Sequence, residues 1–119
     1  MTMRIIDFPR EHARPIELFD AADAANVHLG SGRGEAHAYC LYFGPGGNIG
    51  PHPAGFGQLF LVVEGSGWVA GADGIRVPLS TGQGAYFAPG EVHAKGSDSG
   101  MTVIMVQVDE LEPPGDYMY

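Results

Sequence analysis

A glycine or a proline interrupts this chain every few residues, nineteen of the first and nine of the second, and that punctuation limits the fold more than any other feature. No apolar pattern with helical spacing runs long enough between the breaks to make a substantial helix. The stretch ELFDAADAAN, residues 17–26, leaves room for one or two helical turns and little more. What remains reads as strands at 34–43 (GEAHAYCLYF), 57–64 (GQLFLVVE), 66–71 (SGWVAG), 75–79 (IRVPL), 83–88 (QGAYFA) and 101–108 (MTVIMVQV). Asp73-Gly74, between the third and fourth, is a strong hairpin signal, because the tight turn that suits strand twist wants positive φ. Short strands separated by such turns give an all-β fold, an antiparallel sandwich or barrel.

At 119 residues and 45% apolar composition, the chain is long enough for one compact domain and too short for two. We expect an N-terminal segment, 1–33, packing on the barrel through a short strand or helical turn, the barrel itself at 34–110, and an acidic, Pro-broken tail at 111–119. LFLVV and VIMVQV are apolar on both faces, so their outer face needs a cover. A second copy of the chain would provide it, which predicts a homodimer; burial under the N-terminal segment is the alternative.

Charge removes several classes of partner. Six basic residues against fourteen acidic ones give a net charge of −8, and no two basic residues are closer than four positions, so no stripe exists to neutralise nucleic-acid phosphates. Anionic membrane surfaces would repel the chain, and its longest apolar run is far too short to span a bilayer. The N-terminal MTMRIIDFPREHARP carries charges where a secretory signal needs an apolar region, so a cytoplasmic location is expected. Cys40 is alone, which fits a reducing compartment; among strand-forming neighbours it reads as a small buried thiol.

No charged residue of either sign lies between Glu35 and Glu64, so a paired-carboxylate glycosidase site is excluded there. The glycines from Gly44 onward do not form a phosphate loop, and no serine stands in a nucleophile elbow. The histidines remain. His12 and His28 sit in polar surroundings and read as surface residues, and His37 alternates with Tyr39 and Leu41 on one strand face. His52, in GPGGNIGPH, and His93, in GQGAYFAPGEVH, each follow a Gly/Pro turn at the mouth of a strand, where a rigid backbone pre-aims an imidazole.

These two stretches resemble the paired motifs of the cupins, small single-domain barrels. Gly46, His52, Gln58 and Gly65 keep the spacing of the first motif, with Ala54 at its second histidine and Gln58 at its glutamate. Gly82, Gly90 and His93 keep the second, with Ala88 at a proline and Ser97 at an asparagine. The resemblance implies a jelly-roll β-barrel, usually dimeric, holding one divalent metal at its open end. Carried over by position, His52 and His93 would be ligands and Gln58 could add an amide oxygen. Two neutral imidazoles suit Zn, Ni, Fe, Mn or Cu. Without an anionic ligand the ion would keep its full charge, which points to a small acid or a chelating oxygen compound as ligand.

Other side chains enter as candidates. Gln58 could orient water or substrate, and Glu91, two positions before His93, could act as base or outer ligand, although a solvated turn residue is the plainer reading. His37 could complete a set of three histidines if its strand crosses the mouth, with a satisfied core or rim histidine as the alternative. Phe43, Phe60 and Tyr86 offer aromatic surface for a pocket wall, with ordinary core as the alternative. Three functions stay open: a metal-dependent enzyme of the dioxygenase or isomerase kind, a metal-free module that binds a sugar or small acid, and a structural barrel acting through dimerisation.

Overall fold

A computed structural model describes residues 3–115. The described residues form ten strands: β1 (Arg4–Asp7), β2 (Arg14–Pro15), β3 (Ala25–Asn26), β4 (Ser31–Phe43), β5 (Asn48–Pro53), β6 (Gly57–Ala70), β7 (Arg76–Ser80), β8 (Gln83–Phe87), β9 (Val92–Gly96) and β10 (Met101–Glu112); eight build an antiparallel jelly-roll barrel, and β2 and β3 pair with each other as a separate hairpin. Their spatial order is β1-β8-β6-β10-β4 on one side, with β7 and β9 attached to β6 and β5 attached to β9 on the other. Among the described residues no helix is long and apolar enough to cross a membrane.

Strand β6 joins the two sides. Its first half pairs with β8 (Gln58 opposite Phe87) and with β10 (Gln107 opposite Gln58); its second half pairs with β7 (Ser66 opposite Ser80) and with β9 (Val69 opposite Lys95). The sequence suggests two strands broken near Gly65, and the chain instead runs through as one strand that turns a corner there. Val63 is bulged against β10, and Gly65 adopts φ +82, a region that glycine enters without steric cost. The Asp73-Gly74 hairpin forms between β6 and β7, with Gly74 at φ +75 and the Ile75 amide donating to the Asp73 carboxylate.

From Leu59 to Val62 the two apolar faces of β6 are both covered within one chain, while Val63 stays exposed. Phe60 and Val62 point inward and pack with Phe43, Val69, Phe87 and Val103. Leu59 and Leu61 point outward into a second cluster with Ile6, Tyr86 and Leu111, and Phe8 and Leu29 lie against it. The N-terminal segment therefore provides the cover for this face.

Four expectations change. Residues 17–26 make no helical turn: Phe19, Asp20 and Asp23 sit at φ between 54 and 58, a left-handed region an α-helix does not contain, and the one helical piece among the described residues is a 3-10 turn at Arg10–His12. Cys40 is exposed, because alternation along β4 places it outward beside Ala38 and Tyr42. The tail begins as structure: β10 continues to Glu112, and Leu111 is buried in the outer cluster. The remaining tail residues 116–119 lie outside the described range. Finally, the Gly/Pro stretch turns only at Pro45-Gly46, where the Gly47 amide donates to the Gly44 carbonyl; from Asn48 it is strand β5, with His52 inside it, paired with β9 across a register shift between Ile49 and His52.

A β-carbon at Gly65 would lie 2.4 Å from the Gly100 carbonyl oxygen, in addition to the strain of positive φ. Gly65→Ala is expected to lower stability by about 2 to 3 kcal/mol in chemical denaturation. Gly71→Ala, at a position with open space around it, should stay within about 0.5 kcal/mol.

Candidate functional site at the barrel mouth

Strand pairing brings His52 and His93 together. They are direct partners across β5 and β9, with ring centroids 4.6 Å apart. His52 is exposed and hydrogen-bonds through Nδ1 to the Gly50 carbonyl at 2.8 Å. A carbonyl only accepts, so Nδ1 is the donor in this bond. His93 is fully buried, and among the described residues neither of its ring nitrogens has a hydrogen-bond partner. Its ring rests 4.4 Å from that of Phe87.

One position deeper on the same face of β9 lies Lys95, 1% exposed and the only lysine of the chain. The sequence reading overlooked it, although strand alternation places residues 93 and 95 on one face. Its ammonium donates to Gln58 Oε1 and lies 4.8 Å from the Phe60 ring centre and 5.4 Å from that of Phe87. Gln58 is itself buried. Direct cross-strand partners share a face, so Phe87, Gln58, Gln107 and His37 form one inward row across β8, β6, β10 and β4.

The other candidates divide. His37 belongs to that row, half-exposed at the rim, bonded to Glu35 at 2.6 Å and stacked near Tyr39 and Phe56. Glu91 is buried, and its carboxylate is turned back to accept the Ala88 amide at 3.0 Å, closing the turn between β8 and β9. Ala54 is tied to the same turn by its backbone, donating to the Glu91 carbonyl and accepting from Gly90. Ser97 accepts from the Gly100 amide and donates to the Ser66 carbonyl. Phe43 and Phe60 are inner-core residues meeting edge to face, whereas Tyr86 is on the opposite face, its hydroxyl donating to the Leu111 carbonyl. Alternation along β8 gives the inward position to Phe87 instead.

This donor set does not fit a divalent metal. His52 Nε2 and His93 offer two imidazole nitrogens, but the third expected donor, Gln58 Oε1, already accepts from Lys95. Among the described residues no group of three or more His, Cys, Asp or Glu is placed to hold an ion.

A family model for the AraC-like ligand binding domain matches residues 34–110. No curated protein matches the chain. Among solved structures, a cupin superfamily protein from Desulfitobacterium hafniense is 16% identical, with 90% of this chain and 99% of that one covered at a TM-score of 0.59. An RmlC-like cupin from Shewanella frigidimarina is 24% identical, with 69% and 68% covered at 0.57. A protein from Thermotoga maritima described as a predicted oxalate decarboxylase is 20% identical, with 60% and 64% covered at 0.55. Likeness at these identities is likeness of fold.

Burial first, then the Lys95 ammonium and His52, holds the His93 imidazole down at about 3 from an ordinary 6.5. Burial brings Lys95 down to about 7 from 10.5. Between pH 3 and 6.5 the unfolded chain binds a proton at residue 93 that the folded chain does not. Stability from this residue therefore rises with pH across that window and is lost on acidification. Lys95 does the same between 7 and 10.5. Urea midpoints measured across pH should show both rises, His93→Phe flattening the acidic one and Lys95→Met the alkaline one.

Proposed function

The chain belongs to the AraC-like ligand binding domain family and is a small cupin, and from that premise we infer that it is a binding module whose barrel mouth takes up a small molecule without a metal. The observation that carries this reading is His93. A fully buried imidazole with both nitrogens unpartnered costs about 1 to 3 kcal/mol for each unmet group, and a polar ligand reaching it from the mouth would recover that cost. Exposed His52 stands beside it at the entrance, and Phe87 offers an apolar wall on the other side. Such a combination of a flat apolar surface and a few convergent polar groups is what small-molecule sites are made of.

The enzyme reading rests on the His52–His93 pair alone. A dioxygenase- or isomerase-like site would need Zn, Ni, Fe, Mn or Cu, with Gln58 released from Lys95 to serve it. Glu91, engaged at its turn, is not free to act as a base in this conformation.

Self-association is part of the proposal. Outward on β4, Ala36, Ala38, Cys40 and Tyr42 are all exposed and lie opposite Val108, Val106, Ile104 and Thr102 of β10. This largely apolar surface would suit a second copy of the chain, and the exposed lone thiol within it suits a reducing cytoplasm.

Thermal shift in the presence of a chelator, with panels of sugars and small acids, tests the binding reading. A ligand at 100 times its Kd should stabilise the fold by about 2.7 kcal/mol, and His93→Ala should lose most of the shift. Stoichiometric uptake of one of those metals, abolished in His52→Ala and His93→Ala, with no ligand bound in its absence, would replace this reading with the enzyme one. Analytical ultracentrifugation should find a dimer that Tyr42→Glu converts to monomer; a monomeric parent protein removes the self-association proposal.

A further inference from the structure

Resting on the binding reading above, we propose that the Lys95 ammonium takes the place that the motif resemblance gives to a metal ion, and anchors the carboxylate of a small monoanionic ligand inside the barrel. Lys95 is held away from water, and its one hydrogen bond among the described residues goes to the neutral amide of Gln58. It makes no ion pair with a described carboxylate. An ammonium has three N–H donors, so two remain unspent. Burial brings Lys95 down to about 7, so near neutral pH it is only partly charged, and an apolar side chain of similar volume would fill this position at lower cost. The arrangement is energetically sensible once an anion arrives to complete it.

The neighbouring groups say what kind of anion. His93 shares the inward face of β9 with Lys95, and in its neutral form offers one ring N–H with no partner in the protein. One ammonium and one imidazole N–H match the two oxygens of a single carboxylate. A phosphate monoester, with close to two negative charges, calls for further cations. Arg76, on β7 across β6 from β9, is engaged instead over the Trp68 ring at 3.9 Å. The rings of Phe60 and Phe87 beside the ammonium suit a ligand whose remainder is apolar or planar.

Isothermal titration of the full chain at neutral pH, with chelator present, provides the test. The probes are a carboxylate series from acetate to benzoate and the matching neutral amides from acetamide to benzamide. We expect one carboxylate per chain, with the amides and the Lys95→Met variant each weaker by about 30-fold or more. Lys95→Met should unfold at a higher temperature than the parent in the absence of ligand, which a merely structural lysine would not allow. Because Lys95 is the only lysine, reductive methylation followed by mass spectrometry reads its exposure in the unmutated protein, and bound benzoate should slow that modification. Equal carboxylate affinity in Lys95→Met, carboxylate binding only after Zn or Mn is added, or methylation unaffected by saturating benzoate would each overturn the proposal. Binding of amides or sugars but of no carboxylate would overturn it while leaving the barrel as a ligand site. Failure of every acid, amide and sugar would remove both readings.

Discussion

Everything in this molecule hangs on β6, one strand of 14 residues that hydrogen-bonds to four others. A straight strand of that length could serve only one sheet. The bulge at Val63 and the left-handed glycine after it swing the chain round, so that β8 and β10 attach before the corner and β7 and β9 after it. Val69 is thereby fixed opposite Lys95, while Gln58, eleven residues earlier on the same strand, is fixed opposite Phe87. The contact between the Lys95 ammonium and the Gln58 amide therefore spans the two sides of the barrel, and it exists because a single strand belongs to both. A small jelly roll with no helical layer has few other ways to hold its polar interior in register.

That interior is layered by chemistry. Below the mouth Phe43, Phe60, Val62 and Val103 form a dry core, where burial of each large side chain contributes about 2 kcal/mol. Above it, the row through Gln58, Gln107 and His37, together with His93 and Lys95, is polar, and part of it is closed off from water. Polar groups buried and left incompletely paired subtract from the stability that the layer below supplies. The cost is confined to one end of the barrel, the end at which His52 is open to solvent.

Most of the architecture was legible because strand signals are local. Alternating β-branched and aromatic runs, and Asp73-Gly74 between two of them, mark β4, β6, β7, β8 and β10 without reference to anything distant. Strand β5 was hidden for a physical reason: Gly50, Pro51 and Pro53 are poor strand residues by propensity, and cross-strand pairing with β9 overrides it. The residues around Phe19 mislead in the opposite sense, since alanine-rich composition favours helix while three left-handed residues forbid it. In the site, motif spacing drew His52 and His93 together before any coordinates did. Tyr86 and Phe87 show the limit of that reading, because a shift of one residue exchanges inner wall for outer cluster. Lys95 was missed although parity with His93 would have found it, since the motif assigns no role to its position and lysine is ordinarily a surface residue.

The departures from the motif pattern acquire a common sense around that lysine. A glutamate at position 58 would form an ion pair with the ammonium and leave it electrically complete; glutamine holds the ammonium in place through a neutral oxygen and leaves its charge unanswered. A histidine at position 54 would add a third nitrogen suited to a metal ion. Ala54 is instead buried and spends its backbone on the turn that carries His93. Each change removes a donor that a cation would want and keeps a frame that an anion can use. The barrel thus keeps at this end a single buried lysine, brought down to about 7 by burial, whose position is set by strand pairing rather than by coordination.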